Sequence, residues 1–249
     1  AGVLNGFQFS SPAFINNGCY HVFGGRNSSN LGNFALSGGR NLEQALEVRR
    51  SWCKFLQTEA MHLVVGGQTH TSTVRLVDES HQGRGALSPN TVLPNCDGLI
   101  TRTPNLPLYV AVADCSAVLL SAPGMVGVIH GGWRGLAADI LTTAIDIFLK
   151  SGVSPATISA GIAPCIQAES YEVGPEVAAD CPESAKYRGS GDRWQVDIAL
   201  WARHQLLNLG LCESRIELSG IDSGVDSSVF SHRRQGEQAG RNGLVALLR

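Results

Sequence analysis

The 249-residue chain lacks the features that would commit it to a membrane, a nucleic acid or an oxidising compartment. No apolar run approaches the roughly 20 residues needed to cross a bilayer. Nineteen Lys and Arg stand against 21 Asp and Glu, a net charge of −2, so there is no basic footprint to suit nucleic acid or an anionic membrane. The opening residues, Ala1-Gly2-Val3-Leu4-Asn5-Gly6, lack the basic and then apolar pattern of a secretory leader. The seven cysteines are odd in number and scattered, with no Cys-x-x-Cys pair, which fits reduced thiols; the expectation is a cytoplasmic protein. No Pro- or Ser-rich linker and no internal repeat divides the chain. A single domain over residues 1–249 is therefore expected, large enough to bury a core without staples.

What is present is a series of short apolar runs broken by helical periodicity. Leu42, Leu46, Val48, Trp52, Phe55 and Leu56 predict an amphipathic helix over 41–60. Runs at 62–65, 73–77, 98–101, 108–113, 117–122 and 126–130 read as strands, several buried on both faces. Apolar spacing of three and four predicts a helix from Leu136 to Lys150, stopped by Ser151-Gly152. A strand at 157–162, a short helix near 175–180, a strand near 194–197, a helix over 197–209 and strands at 215–218 and 244–248 follow. Clustered strands without regular βαβ alternation predict an α+β fold. The segments 24–40 and 219–243 read as long loops, a length usually functional or disordered.

The most informative stretch is Val126-Gly-Val-Ile-His130, followed at once by Gly131-Gly132-Trp133-Arg134-Gly135 and a helix. His130, His70 in Gly67-Gln68-Thr69-His70 and Cys115 in Ala113-Asp114-Cys115 each fall at or just past a predicted strand end. Two imidazoles and a thiolate suit Zn²⁺, or Cu, and three protein ligands leave a fourth position for water or substrate. Each also has a plainer reading, a hydrogen-bonded histidine or a buried small cysteine. At 131–135 the glycines Gly131 and Gly132 could present N–H groups to an anion beside Arg134, or simply pack a helix against a strand. Tyr171 and Glu172, at a turn after a strand, are candidates to face a pocket. Phe230-Ser-His-Arg233-Arg-Gln-Gly-Glu-Gln-Ala-Gly-Arg241 is a basic cluster in an otherwise acidic chain.

Gln68-Thr-His70, Ala113-Asp114-Cys115, His130-Gly-Gly-Trp-Arg-Gly135, Tyr171-Glu-Val-Gly174 and Phe230-Ser-His-Arg-Arg with Gly240-Arg241, in this order, resemble the laccase-domain family. That family is labelled polyphenol oxidase and also recognised as metal-dependent purine nucleoside phosphorylases. The resemblance implies an α+β fold of mixed sheets packed together and flanked by helices. It implies a metal held by His70, Cys115 and His130, with Zn first and Cu second. It points to a pocket drawing on Gln68, Asn30, Arg49, Tyr171, Arg233 and Arg241 besides Gly131, Gly132 and Arg134. Asp114, Arg134 and Glu172 are the candidates for proton transfer and charge stabilisation. Ala163 and Gln167 stand where the family carries glycines, and Glu169-Ser170 where it has a Cys-rich pair; these departures bear on pocket shape and substrate range.

The activity implied is phosphorolysis of adenosine, inosine or S-methyl-5′-thioadenosine to free base and ribose 1-phosphate, with adenosine deamination as a second activity. The partners expected are a small nucleoside and phosphate, on a monomer or homodimer. Copper-dependent phenol oxidation is the alternative that the older label suggests. A trinuclear copper cluster needs more histidines than the seven present, partly as His-x-His pairs, and no such pair occurs. A third reading is a metal-free hydrolase with Cys115 as nucleophile and a histidine as base.

Overall fold

The computed structural model describes residues 6–26 and 32–249. Its centre is a pair of six-stranded mixed sheets stacked face to face. In spatial order the first contains Gly6–Phe7, Cys19–Gly24, Asn242–Leu248, Leu108–Val112, Val64–Gly67 and Leu93–Pro94. The second contains Ile216–Leu218, Ser159–Ile162, Ser116–Ala122, Met125–Gly131, Gly98–Thr101 and Val74–Val77. A small third sheet joins Glu172–Val173, Trp194–Val196 and Lys186–Arg188. The fold is α+β, as expected.

Alternation along the strands explains the layering. Ala117 and Leu119 point between the sheets, where they meet Leu108, Val110, Val112, Leu244 and Ala246. Val118 and Leu120 point the other way, onto Ile140, Leu141, Ala144 and Phe148 of the Ile140–Lys150 helix and Trp201 and Leu206 of the Ile198–Asn208 helix. Val22, Tyr109, Val245 and Leu247 on the outer face of the first sheet meet Trp52 and Cys53 of the Leu42–Phe55 helix. Central strands covered on both sides need apolar residues at every position, hence the unbroken runs in the sequence.

Several boundaries differ from expectation, each for a local reason. The first long helix starts after its Asn41 cap and stops at Phe55, because Gln57 has φ 52 and Ala60–His62 forms a separate 3-10 turn; the strand expected at 62–65 is Val64–Gly67. The helix expected over 136–150 is two helices, Trp133–Ala137 and Ile140–Lys150, parted by Asp139 at φ 57. Gln205 Nε2 donates to Leu136 O at 2.7 Å across this break, supplying a partner where the helical ladder is interrupted. Strand Cys19–Gly24 has no counterpart in the sequence reading, since its Tyr20 and His21 hide the apolar alternation.

Three chain crossings position the site. Val64–Gly67, Leu93–Pro94 and Leu108–Val112 run parallel in the first sheet, so their C-terminal ends share one edge. From each end the chain crosses to the second sheet, to Val74–Val77, Gly98–Thr101 and Ser116–Ala122. The crossings carry His70, Asp97 and Cys115, and the end of Met125–Gly131 brings His130 to the same place, since Ala117 pairs with His130 and Gly98 with Ile129.

Leu119 is fully buried between the sheets, whereas Leu149 on the outer side of its helix is 45% exposed. Leu119→Ala is expected to lower unfolding free energy by about 2–5 kcal/mol, and Leu149→Ala to stay within about 0.5 kcal/mol of the parent, both measured by urea denaturation. Equal effects would contradict this layering.

Candidate metal centre and its cavity

His70, Cys115 and His130 converge. Their ligand atoms all lie within 4.8 Å of one another, with Cys115 Sγ 4.0 Å from His70 Nε2 and the two imidazole rings 4.9 Å apart at 70°. His130 is buried and His70 exposed, with Cys115 between these extremes. Tetrahedral zinc with bonds of about 2.0–2.3 Å would set such atoms roughly 3.3–3.6 Å apart, so the donor set and its spacing fit one ion after a small contraction.

Asp97 organises this cluster, and the sequence reading missed it. Its carboxylate is fully buried; Oδ1 accepts from His130 Nδ1 at 2.8 Å and from the His70 N–H at 3.0 Å. Oδ2 accepts from the backbone N–H of Thr69 and Thr71 and from the Thr71 hydroxyl. With Nδ1 protonated for this bond, His130 offers Nε2 to the site, the usual relation of a ligating histidine to a carboxylate. The same carboxylate holds His70 in a left-handed conformation, φ 62. Burial opposes ionisation of Asp97, but hydrogen bonds from His130 and Thr71 outweigh it and hold the carboxyl well below the usual range. The sequence signal available was its place just before the Gly98–Thr101 strand.

Burial by itself would raise the Cys115 thiol, yet the facing His130 and His70 imidazoles bring it down to about 6. The reciprocal attraction of Cys115, with Asp97, lifts His130 above the ordinary histidine range against the cost of burial. A thiolate is the form that both metal binding and nucleophilic attack require.

The glycines serve close approach. A Cβ at Gly132 would stand 2.9 Å from Cys115 Sγ and 3.0 Å from His70 Cδ2, and one at Gly131 only 2.4 Å from Ser116 Oγ. Gly131 lies inside the strand and the following helix has five residues, so this turn has the packing role that the sequence left open. Neither glycine borders the cavity, of about 800 Å³, onto which the three ligand residues open.

Gln68, Asp114, Arg134, Tyr171, Arg49, Arg233 and Arg241 also line it. Several are committed elsewhere than expected. Asp114, with φ 83, accepts from Ser223 Oγ at 2.7 Å and from the Arg233 N–H at 2.6 Å, so both carboxylate oxygens anchor neighbouring chain. Glu172 is exposed, is not part of the cavity wall, and contributes its backbone carbonyl to Arg233 Nη1. Gln68 makes a closed pair of amide bonds with the Ala111 backbone, extending strand-like pairing. Arg49 is 2% exposed and donates to the carbonyls of Phe34, Gly85 and Ala86. Asn30 lies outside the described residues. Arg134 stacks over Trp133 at 4.3 Å and Arg233 over Tyr171 at 4.9 Å. Arg40, Tyr109 and His232 join the wall without having been singled out from sequence.

The cavity wall holds five arginines, Arg40, Arg49, Arg134, Arg233 and Arg241, against one carboxylate, Asp114. In a chain of net charge −2 this is a local reversal of sign, suited to an anionic ligand.

Residues 23–249 match the family described as multi-copper polyphenol oxidoreductase laccase. The chain is 31% identical to a protein of Bacillus subtilis named purine nucleoside phosphorylase YlmD, over 74% of this chain and 70% of that one. It is 27% identical to a protein of an unknown prokaryotic organism named adenosine deaminase RL5, over 87% of each. The crystal structure of YlmD from Geobacillus stearothermophilus superposes with a TM-score of 0.93 at 25% identity, covering all of this chain and 98% of that one. With its three crossings, its His-Cys-His cluster and a family match running from the second strand to the last residue, the chain belongs to this laccase-domain family.

Proposed function

We propose that the protein is a metal-dependent purine nucleoside phosphorylase acting on adenosine, inosine or S-methyl-5′-thioadenosine, with adenosine deamination as a second activity. The observation that carries this reading is the opening of one His₂Cys cluster onto an arginine-rich cavity. The relatives' names supply the reaction class.

His70, Cys115 and His130 would hold the ion, zinc by preference for this donor set. When bound, it supplies Lewis acidity toward an oxygen of substrate or water. Asp97 keeps His130 in the ligating tautomer, and Gly132 leaves the space in which the ligands meet. Trp133 and Tyr171, each capped by an arginine, offer flat apolar surfaces to a purine ring. The arginines hold phosphate and screen its charge as it approaches the sugar. A phosphate oxygen bonds to C1′, the C1′–N bond breaks, and its electron pair leaves with the base, whose nitrogen then takes up a proton.

A second reading has a specific observation behind it. Asp97, His130 and Cys115 also form the orienting acid, base and thiol of a metal-free cysteine hydrolase. Copper-dependent phenol oxidation has, among the described residues, one three-ligand cluster to draw on.

Protein loaded with zinc is expected to release free base from these nucleosides only when phosphate is added, followed by chromatography, and to lose that activity in His70→Ala and on complete chelation. Activity that survives both treatments would establish the thiol reading, and phenol turnover at one stoichiometric copper without base release would establish the oxidase.

Asp97→Asn is expected to weaken zinc binding about 10–100-fold in a chelator competition. In metal-free protein, alkylation of Cys115 by iodoacetamide, followed by peptide mass spectrometry, should accelerate as pH rises through about 6. Zinc should suppress it.

A further inference from the structure

The two long loops marked in the sequence dock on each other. Arg241 N–H donates to Asn33 Oδ1 at 2.9 Å, Phe34 N–H to Arg241 O at 3.0 Å, and Arg49 Nε to Phe34 O at 2.9 Å. The result brings like charges together. Arg40 donates to Ala239 O through Nε at 3.1 Å and Nη2 at 2.7 Å, and Arg241 donates to the same oxygen through Nη1 at 2.9 Å. Two guanidinium groups thus share one neutral carbonyl, which has two lone pairs for three N–H groups.

No carboxylate pairs directly with them. None of Arg40, Arg49 and Arg241 has an ion-pair partner among the described residues, and the ten residues outside that description contain neither Asp nor Glu. Behind the pair, Arg49 is almost wholly buried over the Tyr109 ring at 4.9 Å, and Tyr109 itself is 1% exposed. Burial, and then the nearby Arg40, depress the Arg241 guanidinium. Crowded cations without a directly paired acid cost stability, and all four side chains border the cavity that the ligand cluster shares.

We infer that Arg40 and Arg241 form a clamp for a phosphate group, backed by the positive charge of Arg49. Arg241 directs Nη1 to Ala239 O and Gly240 O, and among the described residues Nε and Nη2 have no acceptor. That edge is the fork that suits two oxygens of a phosphate. The clamp gives the two loops a purpose: each supplies one arm, and the phosphate completes their junction. The inference rests on the phosphorylase reading for its choice of orthophosphate as the natural occupant; a phosphate monoester carried on a nucleoside has the same chemistry.

Calorimetric titration of the zinc-loaded protein tests this. Orthophosphate is expected to bind, with Kd raised at least tenfold in Arg40→Met and in Arg241→Met, the loss of one charge-assisted contact. In turnover, KM for phosphate should rise by the same factor while KM for the nucleoside moves less than threefold. If Arg241→Met fails to fold, Arg40→Met carries the test, since Arg40 is only half-buried and follows three exposed residues. Tight binding of adenosine 5′-monophosphate, lost in the same variants, with no binding of orthophosphate, assigns the clamp to a monoester. No binding of either, or phosphate affinity lost in Arg134→Ala and Arg233→Ala but kept in the clamp variants, overturns the inference. Phosphate-dependent base release unaffected by the clamp variants overturns the clamp alone. Phosphate bound at the clamp without any base release overturns the phosphorylase reading alone.

Discussion

The buried carboxylate of Asp97 is the constraint on which the site depends. It sits where the chain passes between sheets and receives five N–H and O–H donors: the His130 ring, three successive backbone N–H groups at Thr69, His70 and Thr71, and the Thr71 hydroxyl. An ionised carboxylate with no exposure is costly unless its lone pairs are filled, and here they are. Filling them fixes two of the three ligand residues at once. His130 is held by its ring, and His70 by the loop that Asp97 forces into a left-handed turn.

The cluster and the cavity have opposite electrostatic problems. Around Asp97 a buried negative charge is satisfied by the protein itself, so that region is ordered before anything binds. Across the cavity, among the described residues, Arg40, Arg49, Arg233 and Arg241 donate to carbonyls and Arg134 stacks on Trp133, while the one carboxylate of the wall, Asp114, is engaged with Ser223 and the Arg233 backbone. One half of the pocket is preorganised, while the other is the half that the proposed phosphate would neutralise. Such a division suits a reaction in which an anion is brought to an already positioned electrophilic centre.

The sandwich makes this arrangement possible by geometry that no local window shows. His70, Asp97 and Cys115 lie in three separate crossings from parallel strands of one sheet to the other, and all three meet because parallel strands end on the same edge. Spacings of 45 and 15 residues between the ligands carry no compact motif, so position at strand ends was the usable signal. It sufficed for His70, Cys115 and His130. The same signal marks Asp97, just before the Gly98–Thr101 strand, as an acid placed to support a histidine.

Elements with strong periodicity were legible because burial on one or both faces leaves a pattern in adjacent residues. The Leu42–Phe55, Ile140–Lys150 and Ile198–Asn208 helices and the central strands belong to that class, as does the α+β character that their order implies. Cys19–Gly24 was hidden by its polar residues, and the break at Asp139 by apolar spacing that continues across it. Among the site residues, type alone proposed Asp114 and Glu172 for proton transfer; tertiary contacts tied up the first and turned the second outward. By itself the sequence determined the fold class, the family and the residues of the His-Cys-His group, since these follow from local pattern and residue chemistry. Only the tertiary structure decided which acid supports His130 and His70 and which arginines, among the described residues, go without an ion pair, because both depend on partners brought together from distant crossings and loops.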